Sequence, residues 1–245
     1  MENISIRTLE LTVDGRSRKC PVYVPGTLDP AHPAPLLLVF HGAEGTGVSM
    51  IKKFRALADR DGFLLAAPDG LGGRWNALQP DEVEATGNAD EPAFVNAILT
   101  ALSKEFTVDS RRIYACGFSN GGALCQLLAI RPESQLAAIA CVGATLPAVL
   151  QKQIASAPPV SVLLLTGSRD EFFGSGGSKI GPFLPVDETV WLWQEHNRRQ
   201  NQTGIEVQSR WIEGGRHSWR LSADLDTSLT IWEFLRTHTK SAQNS

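Results

Sequence analysis

Gly117-Phe118-Ser119-Asn120-Gly121-Gly122 constrains the backbone more tightly than any other stretch of this chain. An apolar, partly β-branched run, Arg112-Ile113-Tyr114-Ala115-Cys116, precedes it. A run of good helix formers, Ala123 to Ile130, follows it. The spacing predicts a strand, a very tight turn and a helix. Glycines two residues either side of Ser119 let strand and helix approach without a Cβ clash. Ser119 is then held in an unusual backbone conformation. Its hydroxyl is exposed above the sheet at a helix N-terminus, where the dipole favours negative charge. The plainer alternative is a glycine-rich turn in which Ser119 only caps the helix.

Residues 4–13 alternate with period two, then Asp14-Gly15 leads into a second run from Arg18 to Val24. Asp-Gly between alternating runs signals a hairpin. Pro21 suggests that the second strand is irregular or at an edge. Leu36-Leu37-Leu38-Val39-Phe40 is apolar at every position, as a strand covered on both faces must be. Similar runs appear at 63–67, 136–142 and 160–166, and an alternating one at 205–212. Helical periodicity lies between them, with Asp90 or Glu91 placed to cap one helix ahead of Pro92. Residues 71–88 read as turn-rich, and 187–200 as a helix. The fold class is therefore α/β: a mostly parallel sheet with an antiparallel N-terminal hairpin and helices on both faces. No repeat or linker divides residues 1–245, so one domain is expected.

Net charge is −3, which offers no electrostatic case for nucleic acid. No stretch is long and apolar enough for a bilayer. Met1 to Ser5 lacks the features of a signal peptide, so the chain as written reads as cytoplasmic. A secreted or periplasmic site stays open if a leader has been removed. Cys20, Cys116, Cys125 and Cys141 show neither metal spacing nor a disulfide framework, and read as small buried hydrophobes. No metal or cofactor is expected: there is no His-Glu-x-x-His run and no dinucleotide glycine pattern. A homo-oligomer is left open.

A serine hydroxyl is a poor nucleophile until a base takes its proton. The base is usually a histidine oriented by a carboxylate. In the α/β-hydrolase order the serine comes first, then the acid, then the histidine. Asp170, in a glycine turn after the strand 160–166, fits the acid; it also suits a plain turn residue, and Glu171 and Asp187 are rivals. His217, in the glycine-rich loop before the last helix, fits the base; His32, His196 and His238 are poorly placed. His41 ends a strand and shapes the loop that follows. Backbone N–H groups of Ala43 and Asn120 are the candidate oxyanion donors. Glu44 has no evident role.

Gly117 to Gly122 resembles the elbow of the polyhydroxybutyrate depolymerase and feruloyl esterase branch of the α/β-hydrolases. Phe40-His41-Gly42, Ala67-Pro68-Asp69-Gly70 with Trp75-Asn76, and Asp109 to Tyr114 are similar to its other motifs. So are Pro185 to Val190 with Trp193 and Asn197, and Gly214-Gly215-Arg216-His217-Ser218-Trp219. The resemblance runs from about residue 18 to 235. It implies a triad of Ser119, Asp170 and His217, and ester hydrolysis through an acyl-enzyme.

The expected function is thus a serine carboxylesterase, acting on hydroxyalkanoate oligomers or on feruloyl or acetyl esters. A thioesterase, lactonase, acyltransferase or peptidase with the same triad stays open, as does a non-catalytic homologue. His41, Trp75 and Trp219 are candidate substrate contacts, with Phe172 and Phe173 behind them. Arg74 is a candidate partner for a substrate carboxylate. Trp191, Trp193, Trp211 and Trp232 are expected in the core. The short stretch from 142 to 160 leaves no room for a large lid domain.

Overall fold

Eight strands form one sheet in the order β1-β2-β4-β3-β5-β6-β7-β8. The computed structural model describes residues 6–78, 80–173, 181–200 and 202–240. The strands are β1 (Ile6–Val13), β2 (Arg16–Tyr23), β3 (Ala34–Phe40), β4 (Leu64–Ala66), β5 (Val108–Phe118), β6 (Ala138–Val142), β7 (Ser161–Gly167) and β8 (Val207–Ile212). The helices are α1 (Gly47–Asp61), α2 (Pro80–Thr86), α3 (Glu91–Glu105), α4 (Asn120–Ile130), α5 (Val186–Arg199) and α6 (Thr227–Leu235).

β1 and β2 form the antiparallel hairpin, closed by Asp14 and Gly15 at φ 51° and 71°. Two positive φ values are what a turn matching the strand twist requires. From β4 to β8 all neighbours are parallel. Parallel strands need crossover helices, and these cover both faces. The period-two alternation of each apolar strand then feeds two cores. Leu36, Leu38 and Phe40 pack with Phe94, Leu124 and Trp193 on one face. Leu37 and Val39 pack with Phe54, Phe63 and Trp232 on the other. All four cysteines are free and buried in these layers.

Several helix ends follow their local chemistry. Thr46 caps α1 through the Ser49 N–H, and Gly62 ends it at φ 67°. Asp90, of the two candidates, caps α3 through the Ala93 N–H. Other expectations need correction. β2 is not an edge: it also pairs with β4, and Pro21 stays in the ladder because its carbonyl accepts the Ala67 N–H. The turn-rich stretch 71–88 contains α2, anchored by Glu82 to loop N–H groups rather than by an apolar face. Trp193 and Trp232 are buried, but Trp191 and Trp211 are exposed. Trp191 falls on the side of α5 away from its buried residues, and Trp211 lies on the edge strand β8.

Between β6 and β7 the main element is a short 3-10 helix, Ala148–Ser156. No helix among the described residues is long and apolar enough to cross a membrane.

Candidate active site

Ser119 sits between the end of β5 and the start of α4 at φ 52°, ψ −121°. L-residues rarely adopt this conformation, and such outliers concentrate at functional sites. Its surroundings enforce it. The Ser119 N–H donates to Val142 O at 2.9 Å, and its carbonyl accepts from Gly122 and Ala123. The flanking glycines are obligatory. A Cβ on Gly117 would lie 2.2 Å from Gly121 O, and one on Gly121 would lie 2.5 Å from the Phe40 and His41 carbonyls. The Ser119 side chain makes no capping bond to α4. Its Oγ lies instead 2.9 Å from His217 Nε2. This excludes the plain-cap alternative.

His217 and Asp170 come together because two loops touch through glycines. A Cβ on Gly167 would meet Gly215 backbone at 2.3 Å, and the Arg169 N–H donates to Gly215 O. His217 Nδ1 then lies 2.9 Å from Asp170 Oδ2. A carboxylate only accepts, so Nδ1 carries the proton and Nε2 faces the Ser119 hydroxyl as acceptor. Gly143, at φ 54°, leaves space beneath: a Cβ there would lie 3.0 Å from His217 Nδ1. Phe118, Phe172 and Phe173 surround the imidazole with ring centroids 4.9, 4.8 and 5.9 Å away.

Asp170 is buried, and its other oxygen accepts from the Phe172 and Phe173 N–H groups at 2.8 and 2.9 Å. Burial pushes its carboxyl pKa up, but the His217 hydrogen bond and these two N–H groups outweigh it and hold the carboxyl below 3.8. A lowered folded-state pKa has a definite sign. Ionised Asp170 stabilises the fold above pH 3.8, and that contribution is lost as pH falls through the lowered value. Asp170→Asn is therefore expected to flatten the acid limb of stability, which urea midpoints at pH 3 and pH 6 measure. The rival acids are placed elsewhere. Glu171 Oε2 accepts the His217 backbone N–H at 3.4 Å, not the ring. Asp187 is exposed in the first turn of α5.

Ala43 follows β3 and lines the cavity over Ser119 together with Asn120. Asn120 opens α4, so its N–H has no intrahelical acceptor. Glu44 is exposed at φ 63°, and its N–H ties the loop to Gly73 O at 2.8 Å. The cavity measures about 130 Å³; Arg74, Asp81 and Glu82 form one wall, Phe173 and Phe183 another.

His41, Trp75 and Trp219, the expected substrate contacts, do not line this cavity among the described residues. His41 is buried; Nδ1 donates to Gly42 O at 2.7 Å and Nε2 accepts the Gly70 N–H at 3.0 Å. Burial lowers its pKa, partly countered by the Gly42 carbonyl and Asp69, so the ring stays neutral at pH 7. Trp75 is fully buried, because its indole N–H finds the His41 carbonyl at 2.9 Å. Trp219 lies on a separate groove with Lys53, its indole N–H bonded to Ser228 Oγ and its ring against Phe54. Of the aromatic candidates, Phe173 reaches the cavity, while Phe172 contacts His217. Sequence reasoning missed Glu82, Phe183 and Gly143. Only the two acidic residues opening α2 were visible as a signal for the first.

Relatives share this architecture. LpqC, a poly(3-hydroxybutyrate) depolymerase from Bordetella parapertussis, superposes with a TM-score of 0.63 at 17% identity, over 98% of this chain and 93% of that one. A CE1 ferulic acid esterase from Anaeromyces mucronatus gives 0.64 at 14% identity, over 97% and 93%. In sequence, the putative esterase NocK of Nocardia uniformis subsp. tsuyamanensis is 31% identical over 179 residues. That match covers 71% of this chain but only 51% of NocK. The fold is that of the α/β-hydrolases, and residues 21–171 match the esterase PHB depolymerase family, to which this chain belongs.

Proposed function

We propose that the chain is a serine carboxylesterase that cleaves short-chain acyl esters through an acyl-enzyme. The carrying observation is the unbroken hydrogen-bond chain from Ser119 Oγ through His217 to Asp170, ending on a hydroxyl that caps nothing. Ser119 Oγ attacks the ester carbonyl while His217 Nε2 takes its proton. Asp170 holds the imidazole in the required tautomer and stabilises the imidazolium. The Ala43 and Asn120 N–H groups receive the negative charge that develops on the carbonyl oxygen. His217 then protonates the leaving alcohol. A water, deprotonated by the same nitrogen, attacks the acyl-enzyme and releases the acid. Family membership and the printed names of the relatives support ester hydrolysis.

The cavity supports the short acyl group. Its lining mixes the charged side chains of Arg74, Asp81 and Glu82 with the rings of Phe173 and Phe183. A long apolar acyl chain would desolvate those charges without pairing them, which favours acetyl, butyryl and 3-hydroxybutyryl groups over octanoyl. Initial rates on acetyl, butyryl, octanoyl, 3-hydroxybutyrate-dimer and methyl ferulate esters test the reading. Acetyl, butyryl and 3-hydroxybutyrate esters are expected to be cleaved at least ~10-fold faster than the octanoyl ester, a typical discrimination between acyl groups in one pocket. Equal or faster turnover of the octanoyl ester would overturn the short-acyl assignment, and methyl ferulate as the best substrate would move the chain to the feruloyl esterases.

A further inference from the structure

The two proposed oxyanion donors come from separate stretches of chain. Ala43 follows β3, and Asn120 opens α4 after β5. A transition-state oxyanion needs both N–H groups aimed at one point. The Ser119–His217–Asp170 chain does not reach the Ala43 loop. The side chain of Asn120 does, through neighbours. Its Oδ1 accepts the Trp75 N–H at 2.7 Å, and its Nδ2 donates to Trp75 O at 3.0 Å. The Trp75 indole N–H in turn donates to His41 O, two residues before Ala43. The second Nδ2 hydrogen goes to Glu82 Oε1 at 2.7 Å.

Glu82 is the outer end of this brace. It is buried, and its Oε2 accepts the Ala77 N–H at 2.9 Å. Each carboxylate oxygen therefore meets an N–H donor, from Asn120 on one side and Ala77 on the other. Only an acceptor at both ends satisfies that pair. A glutamine offers one acceptor and turns an NH₂ onto a donor, and such a mismatch is costly when buried.

We propose that Glu82 is a positioning residue for the oxyanion hole. Its carboxylate orients the Asn120 amide, which sets the first peptide of α4 and, through Trp75 and His41, the Ala43 loop. This inference rests on the serine esterase reading. Its signature is a loss concentrated in the transition state, since none of the brace's hydrogen bonds goes to Ser119 Oγ or to the His217 ring.

The test compares Glu82→Gln and Asn120→Ala with Thr86→Val. The last removes a hydroxyl bond to Glu82 O within the same helix and leaves the carboxylate in place. Four quantities are read: kcat and KM on p-nitrophenyl acetate, the inhibition constant of an aryl trifluoromethyl ketone, and the rate of labelling by a fluorophosphonate. The ketone adds the serine hydroxyl to form a tetrahedral oxyanion. Glu82→Gln is expected to lower kcat by about 10–100-fold, less than the ~10²–10³-fold cost of losing an oxyanion donor outright, because the donor is displaced and not removed. It should weaken the ketone by the same factor and leave KM within about threefold. Asn120→Ala, which keeps its backbone N–H, should behave alike, and it carries the test if Glu82→Gln does not fold. Thr86→Val should match the parent.

Parent-like kcat in Glu82→Gln, unchanged ketone affinity despite lower kcat, or an equal loss in Thr86→Val would each overturn the positioning role. If the parent turns over esters and Ser119→Ala does not, such a result removes this inference alone. If the parent neither cleaves an ester nor takes the fluorophosphonate, both readings fall together.

Discussion

Ser119→Ala is expected to lower kcat/KM on p-nitrophenyl butyrate by about 10⁴–10⁶-fold, the scale seen when a triad nucleophile is removed. The fold should be unaffected. The hydroxyl supports neither α4 nor the elbow; its one hydrogen bond in the described structure is to His217. The backbone at φ 52° is held by main-chain hydrogen bonds to Val142, Gly122 and Ala123, which alanine retains. Steady-state rates with circular dichroism on the same samples check both halves. Activity within tenfold of the parent would place the nucleophile elsewhere. A collapse of the fold would mean that the serine serves structure first.

Glu91→Ala is expected to produce the largest loss of stability, about 3–5 kcal/mol, by stranding a buried cation. Glu91 Oε2 accepts from Arg18 Nη2 at 2.7 Å, with the two side chains 0% and 2% exposed. The Arg18 guanidinium stacks over Phe94 at 3.9 Å. Glu91 Oε1 also accepts the Asn76 N–H at 3.3 Å. Burial pushes the Glu91 carboxyl pKa up, and the Arg18 charge and hydrogen bond pull it part of the way back. Removing the carboxylate leaves Arg18 charged among apolar side chains. Replacing both partners, Arg18→Met with Glu91→Leu, is expected to recover most of the loss, since paired apolar side chains need no desolvation. Urea unfolding of the two variants decides it. A Glu91→Ala midpoint close to the parent's would show that water reaches Arg18.

The residues that met expectation share one property: their signal is local. Leu36 to Phe40 is apolar at every position, and a strand with no polar face has to be covered twice. Asp14-Gly15 supplies the two positive φ values of the hairpin within one dipeptide. Gly117 and Gly121 announce a turn too tight for side chains, and the chain order placed Asp170 and His217 as partners of Ser119. The aromatic residues failed for the opposite reason. Trp75 and Trp191 have the same side chain and no distinguishing local pattern. One is buried by a hydrogen bond to His41, and the other is exposed on α5. Trp219 stands two residues from His217, yet its ring turns toward Phe54 and Ser228.

The sequence by itself determined the secondary structure of the sheet, the elbow and which serine, aspartate and histidine meet in a hydrogen-bond chain, because periodicity, glycine spacing and chain order act along the chain. Tertiary structure alone decided which side chains line the cavity and what braces the proposed oxyanion donors. Glu82 reaches Asn120 across 38 positions, and Trp75 reaches His41 across 34. Those contacts depend on the strand order that sets β3 beside β5, and on Glu82 of α2 reaching the first residue of α4. No pattern of neighbouring residues encodes a hydrogen bond made across that gap.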